Sequence, residues 1–305
     1  MRRWAQRTHL AGLLVLLLGC RAGAERAPAS SGADSIAVTD DAGRRVALAA
    51  PARRVVSLAP SITELVYALG AGDRLVGRTT WCDYPPAARA VPSVGDGLNP
   101  NLEAVAARGP DLVVLYRSAL NETAAGQFGR LGIASLLLRQ DRLEDVGRAA
   151  RVLGRLTGRA AAGDSIAEAL ARLLAAARPS GSPPLTRLAF LVWDNPPMVI
   201  GAGSYLDQLA SLAGGVNVFQ DIGASAATVS LETIAERDPD VIVVLRDSGA
   251  SPPRLPGFAS RREWRAIRAV RERRFLVLEG SLFGRPSPRA AEAVGEFRRR
   301  LEAMR

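Results

Sequence analysis

The chain has 305 residues, of which 48% are hydrophobic and 23% charged, and its formal net charge is +10. This balance is typical of a folded protein of about two domains. Every basic residue is an arginine and the arginines are spread along helices, so the charge does not indicate a nucleic-acid partner. His9 is the only histidine, and Cys82 is the only cysteine after Cys20, which excludes a His/Cys zinc site, a Ser-His-Asp triad and an internal disulfide in the chain that follows Cys20.

The N-terminus has the pattern of an export signal. Three arginines precede the apolar run at residues 10–19, which is too short to span a bilayer as a stable helix. The run ends in LLGC, which resembles the lipobox of bacterial lipoproteins and implies lipidation of Cys20. The alternative is an ordinary signal peptide with an incidental cysteine. We therefore expect a lipoprotein signal peptide over 1–19, a flexible Ser/Ala/Gly/Pro-rich tether over 20–36, and an exported protein anchored to a membrane, facing the periplasm or the cell exterior.

Residues 37–142 alternate between helical and strand patterns, which predicts an N-terminal α/β lobe with a largely parallel sheet. The lobe opens with a hairpin over residues 35–50 and a strand over 54–59. A helix follows, for which Ser61 and Glu64 form an S-x-x-E capping box and Gly70 supplies the C-terminal cap.

Residues 143–178 have apolar residues at helical spacing throughout, which predicts one long helix, with a kink near Gly158 or Gly163. The α/β pattern then resumes over 179–305. We therefore expect two pseudo-symmetric α/β lobes joined by a single long backbone helix, with a ligand cleft between the lobes.

One segment occurs twice. LEAVAARGPDLVVL begins at Leu102 and LETIAERDPDVIVVL begins at Leu231, so that the Leu-Glu and Pro-Asp pairs of the two copies are each 129 residues apart. Each copy predicts a short helix followed by a buried strand. The Pro-Asp pair is interpreted as a helix stop and strand start without further function.

The order of these segments resembles the substrate-binding proteins of ABC importers for cobalamin, iron-siderophore complexes and haem. The resemblance covers nearly the whole mature chain and is carried by RVVSLAPSITELVYALGAGDRLVG, WCDYPP, NLEAVAARGPDLVV and LFGRPSPR. WCDYPP and LFGRPSPR are most similar to the cobalamin-binding members. The resemblance implies capture of a corrinoid as transported cargo, without catalysis and without a cofactor, followed by docking on a permease dimer that an ATPase drives.

In the cobalamin family, each lobe presents an acidic residue near a helix N-terminus to arginines of the twofold-related permease subunits. The matching positions here are Glu103 and Glu232. The alternative interpretation is that each glutamate only stabilises its own helix dipole, which is worth about 0.3–1 kcal/mol.

The ligand is expected where the strand C-termini of the two lobes face each other. Aromatic faces and an arginine in these loops suit a large ring system with amides or phosphate. The loop before the first repeat departs from the family pattern, since it carries an aspartate and no tryptophan. The candidate ligand-binding residues are Trp81, Tyr84, Asp96, Trp193, Phe283 and Arg285.

Alternatives remain for several of these residues and for the cargo. Trp193 could close a sheet edge and Tyr84 could pack in a turn, while Arg289 is interpreted as neutralising its own helix region. A ferric siderophore or haem would suit the same fold, with Tyr84 or Tyr116 as the iron ligand for haem. A lipid-anchored hydrolase is a third hypothesis, although no carboxylate pair converging on a pocket is evident.

Overall fold

A computed structural model describes residues 35–176, 185–246 and 256–304. The predicted signal peptide, Cys20 and the predicted tether up to residue 34 lie outside the described residues. Within the described ranges, no helix is both long and apolar enough to cross a membrane.

Lobe one, residues 35–142, is built on a four-stranded parallel sheet of order β4-β3-β5-β6. An antiparallel β1–β2 hairpin precedes it, as predicted. Its strands are β1 (Ile36–Thr39), β2 (Arg45–Leu48), β3 (Val55–Ser57), β4 (Leu75–Arg78), β5 (Leu112–Tyr116) and β6 (Ala134–Leu138), and its helices are α1 (Pro60–Ala68), α2 (Leu102–Ala106) and α3 (Ala119–Arg130).

Both faces of this sheet are covered, which explains why its strands are almost continuously apolar. α1 packs with the hairpin on one face, and α2 and α3 contribute to the hydrophobic cluster on the other. β5, for example, is buried from Leu112 through Leu115. Residues 36–138 therefore form an α/β arrangement around a parallel sheet.

The connecting segment forms two helices, α4 (Leu143–Leu156) and α5 (Ala160–Ala176), rather than one helix over 143–178. The chain reverses at Gly158, whose φ of +61° is a left-handed conformation that glycine adopts readily. The two helices then pack so closely that a Cβ on Gly163 would lie only 2.4 Å from the Ala150 carbonyl oxygen. The helical spacing of the apolar residues was predicted correctly. The prediction of one kinked helix is wrong, because the chain reverses at Gly158 and the two helices run antiparallel.

Each connecting helix contacts both lobes. α4 contributes Leu143 and Val146 to the core of lobe two, and Leu153 and Leu156 to the core of lobe one. Ile166 of α5 packs against both cores. The chain crosses from lobe one to lobe two through α5, a 17-residue helix of about 25 Å.

Lobe two, residues 185–304, has a sheet of order β10-β8-β7-β11-β12, with β9 also paired to β7. β7, β11 and β12 are parallel, as in lobe one, whereas β8 is antiparallel to both of its neighbours. The strands are β7 (Thr186–Asp194), β8 (Pro197–Ile200), β9 (Gly215–Asn217), β10 (Ala226–Thr228), β11 (Val241–Arg246) and β12 (Phe275–Glu279), and the helices are α6 (Tyr205–Ala213), α7 (Leu231–Glu236), α8 (Arg268–Arg271), α9 (Gly280–Phe283) and α10 (Ala290–Glu302).

Two hydrophobic clusters lie on opposite faces of this sheet. α6 and α10 contribute to the cluster that α4 and α5 also join, and residues 258–270 form much of the other. Trp264 is 1% exposed and its ring lies 4.3 Å from that of Phe258, so it packs between elements of this lobe. The fold is thus two α/β lobes on a helical connection.

Candidate functional site

The duplicated segment has the same local structure in both lobes. The helices α2 and α7 are capped by Asn101 and Ser230, whose side chains accept hydrogen bonds from backbone N–H groups at 3.0 and 3.1 Å. Glu103 and Glu232 follow in the first turn, and both are exposed. The pattern of buried and exposed residues is identical over residues 102–110 and 231–239. Both glutamates are therefore presented to solvent by equivalent helices.

An equivalent arginine fixes each of these helices to its sheet. Arg54 donates to the carbonyl of Gly109 at 2.7 Å, and Arg187 donates to the carbonyl of Arg237 at 2.6 Å. The aspartates of the two Pro-Asp pairs add to the same contact between helix and sheet. Asp111 and Asp240 accept hydrogen bonds from the backbone N–H groups of Arg54 and Arg187 at 3.1 and 2.9 Å. This geometry agrees with the structural interpretation of the Pro-Asp pair.

The exposed glutamate of lobe two is held in its charged form. The hydroxyl of Ser230 lowers the pKa of Glu232 from its ordinary value. A carboxylate in the first turn of a helix also interacts favourably with the helix dipole. Glu232 is therefore an anion at neutral pH.

The strand C-termini of the two lobes meet at a cavity of about 330 Å³. Arg285 of lobe two ion-pairs there with Asp83 of lobe one at 2.6 Å and donates to the carbonyl of Trp81 at 3.1 Å. The Trp81 side chain remains 65% exposed. The residues that line this cavity are Thr80, Trp81, Asp83, Leu245, Gly280, Ser281, Gly284 and Arg285.

Glu64 lies behind this cavity, and the capping-box prediction for it is wrong. α1 begins at Pro60, with Ala59 as an N-cap that provides no side-chain hydrogen bond. Proline at the first helical position is common, because it has no N–H to leave unpaired and its φ is already helical. Glu64 is consequently one turn inside the helix, 4% exposed, with Arg285 at 3.5 Å and Arg289 at 3.8 Å.

Arg289 also links the lobes, beyond the role in its own helix region that the sequence suggested. Its guanidinium lies 3.7 Å from the centre of the Tyr84 ring, a cation–π arrangement, and ion-pairs with Glu292 at 3.1 Å. Tyr84 is 37% exposed. This pair and the Asp83–Arg285 pair join the same two loops across the cleft.

A second cavity, of about 410 Å³, lies on lobe two at the ends of β7 and β11. Trp193 lines it and is 62% exposed, with its indole N–H donating to the carbonyl of Asn195 at 2.8 Å. Leu245 lines both this cavity and the one beside Trp81. The two cavities therefore share the Leu245 side chain as an apolar wall, and one exposed indole ring belongs to the lining of each.

The opposite end of the cleft is polar, with a cavity of about 490 Å³ lined by groups of both lobes. Tyr116 donates its hydroxyl to Asp141 at 2.7 Å, and burial together with Asp141 raises the pKa of Tyr116 to about 12. Arg142 of lobe one donates to the carbonyl of Gly203 in lobe two at 3.0 Å.

Three of the candidate ligand-binding residues, Tyr84, Asp96 and Phe283, do not line these cavities. Phe283 is 1% exposed and its ring packs edge-on against Phe297 at 6.0 Å, which corrects its assignment to the cleft surface. The exposed Asp96 accepts a hydrogen bond from the backbone N–H of Leu98 at 2.9 Å and so closes its own turn. Cys82 is 1% exposed and contacts the Thr79 hydroxyl at 3.1 Å, as a small buried residue would.

Comparison with known proteins gives one consistent result. The family model for periplasmic binding proteins matches residues 55–282. The vitamin B12-binding protein of Vibrio cholerae serotype O1 is 26% identical over 250 residues, which cover 80% of this chain and 87% of that protein.

Two solved structures extend this result. The periplasmic vitamin B12 binding protein of Vibrio cholerae superposes with a TM-score of 0.66 at 25% identity, covering 83% of this chain and 98% of that one. The periplasmic heme-binding protein of Roseiflexus sp. RS-1, in its apo form, superposes with a TM-score of 0.71 at 25% identity, covering 83% and 99%.

Proposed function

Because the chain belongs to the periplasmic binding protein family, we propose that it is the substrate-binding component of an ABC importer and that its cargo is cobalamin or a related corrinoid. The observation that carries the cargo is the apolar wall at Leu245, bordered by the exposed rings of Trp81 and Trp193. Exposed indoles beside a cleft gain free energy when a flat ring system removes them from water. The vitamin B12-binding relative from Vibrio cholerae supports the same choice.

The polar groups of the cleft also suit a ligand that carries neutral amides. Arg285 already has Asp83 as a partner at 2.6 Å, so the cavity beside it holds a neutralised pair rather than a free cation. Such a pair offers donors and acceptors to amides without a net charge. An anionic siderophore would have to displace Asp83 to reach this arginine.

Haem is the alternative cargo, since the heme-binding structure from Roseiflexus is similarly related. A tyrosine iron ligand acts as the phenolate. Tyr116 donates its proton to Asp141, and its pKa is raised to about 12, which disfavours the phenolate at neutral pH. This disfavours Tyr116 as the iron ligand, and Tyr84, the other candidate, packs its ring against the Arg289 guanidinium at 3.7 Å.

The two exposed glutamates provide the contact through which the loaded protein would dock on its permease. Glu103 and Glu232 lie on equivalent helices, so a protein with two similar lobes can present the same acidic contact to each half of a twofold-symmetric permease dimer. The proposed export signal and lipidation at Cys20 would keep the protein at the membrane that carries the permease.

Calorimetric titration tests the cargo. Purified protein is titrated with cyanocobalamin and, in parallel, with haem and a ferric hydroxamate siderophore. We expect one-to-one binding of cyanocobalamin and much weaker binding of the other two. Binding of haem or the siderophore without cyanocobalamin binding would overturn the corrinoid assignment and leave the importer assignment in place.

A further inference from the structure

Glu64 is a buried carboxylate at the contact between the two lobes. It belongs to α1 of lobe one, and its side chain is 2% exposed. The cations nearest to it, Arg285 at 3.5 Å and Arg289 at 3.8 Å, both belong to lobe two. Separating the lobes would therefore pull Glu64 away from both arginines and admit water.

The polar atoms around this carboxylate are poorly paired. Among the described residues, no hydrogen bond of ordinary geometry reaches either oxygen of Glu64, the Tyr205 hydroxyl or Nη1 of Arg289, although Ser287 and Arg285 lie near enough to the carboxylate to lower its pKa. Buried polar atoms of this kind cost free energy until a partner or water reaches them. Here the groups come from α1, from α6 and from the start of α10, so that separation of the lobes would expose groups of both lobes to water together.

The charged groups that face Glu64 are already engaged elsewhere. Arg285 has its closer ion pair with Asp83 at 2.6 Å, and Arg289 has its closer ion pair with Glu292 at 3.1 Å while its guanidinium lies over Tyr84. Tyr205, on α6, is the other titratable neighbour, and burial followed by the charge of Glu64 raises its pKa. Each arginine therefore compensates the buried carboxylate only in part.

We propose that Glu64 is a release element between the lobes: its ionised form is costly while the lobes are in contact and is relieved when they separate, so that ionisation favours the open cleft and protonation favours the closed one.

The direction of this effect follows from linkage. Burial raises the pKa of Glu64 from 4.5 to about 6, and the opposing effects of Arg289 and Arg285 do not cancel this rise. A group that binds its proton more tightly in the closed arrangement stabilises that arrangement below pH 4.5, and this stabilisation is lost as the pH rises through about 6. The ratio of closed to open protein should therefore be about eightfold higher at pH 5 than at pH 7.5.

The ratio is measured without ligand, by electron-spin distance measurements between the lobes. Labels are attached at Leu98→Cys in lobe one and Val192→Cys in lobe two, which are 68% and 51% exposed. The background carries Cys20→Ser, and Cys82 is 1% exposed and stays unlabelled. We expect the shorter distance to gain population on acidification. Glu64→Gln should show the shorter distance at both pH values.

Glu122→Gln is the matched control, because Glu122 is a glutamate of the same lobe whose side chain is 44% exposed and pairs with Arg117 instead. It should keep the pH dependence of the unaltered protein. An unchanged pH dependence in Glu64→Gln, or a shift toward the longer distance on acidification, would overturn the proposal. Should Glu64→Gln fail to fold, Glu64→Met supplies a second uncharged side chain of similar length.

Because no ligand is present in this experiment, its failure is separable from a wrong cargo assignment. Loss of the pH effect with intact cobalamin binding would overturn only the proposal that Glu64 is a release element. A confirmed pH effect without cobalamin binding would support the role of Glu64 and overturn the assignment of cobalamin as the cargo.

Discussion

Single side chains decide what the cleft can bind. Trp81 and Trp193 are 65% and 62% exposed, although indole rings are usually buried. They border an apolar wall that Leu245 completes. A ligand that covers these rings gains the free energy of removing apolar area from water and a favourable ring–ring geometry.

Replacing Trp81 or Trp193 by alanine should therefore weaken corrinoid binding. We expect a loss of about 2 kcal/mol for each, equivalent to about a 30-fold rise in Kd. Calorimetry measures this directly, and Leu120→Ala, on α3 and 68% exposed, controls for the loss of an exposed apolar side chain outside the described cavities. Unchanged affinity in both tryptophan variants would show that the ligand does not contact these rings.

Which residues could be predicted from the sequence depends on how far apart their partners are. Trp81 follows β4 and Trp193 lies near the end of β7, so the strand pattern located both exposed tryptophans. The pair of Asp83 and Arg285 is separated by 202 positions, and no local pattern connects them. Phe283 also follows a strand, but the short helix α9 places its ring in the core.

At the level of elements, the two connecting helices show the limit of periodicity. Apolar residues at helical spacing are compatible with one helix or with two antiparallel helices, because both bury the same face. The difference lies in the reversal at Gly158 and in small residues that allow close approach. The repeat, by contrast, was located correctly, since each copy combines a capped helix start with an apolar strand.

The close packing of these helices gives a test of stability. A Cβ on Gly163 would lie 2.4 Å from a backbone oxygen of α4, so Gly163→Ala should lower the free energy of unfolding by about 1–3 kcal/mol. Gly126 lies inside α3 with nothing within 4 Å of a Cβ, so Gly126→Ala should raise it by about 0.5–1 kcal/mol. Chemical denaturation measures both. Equal effects of the two substitutions would contradict the tight packing of α4 on α5.

At the scale of the whole molecule, the repeated segment gives the two lobes the same local arrangement of a capped helix and a buried strand. Arg54 and Arg187 hold equivalent helices against their sheets, and Ile166 packs against the cores of both lobes. Such a molecule presents one glutamate on an equivalent helix of each lobe, which suits a twofold-related partner.

Docking on the permease should therefore need both lobes. We expect Glu103→Gln and Glu232→Gln each to weaken binding to the reconstituted permease–ATPase complex by about tenfold, and the double variant by about 100-fold, because distant contacts contribute independently. The loss should shrink at high salt, since exposed charges are screened. Glu122→Gln is the matched control: Glu122 is also an exposed glutamate in the first turn of a helix, α3. All three single variants should bind cobalamin with unchanged affinity, and an effect of Glu122→Gln as large as the others would show that net charge, rather than the paired contact, governs docking.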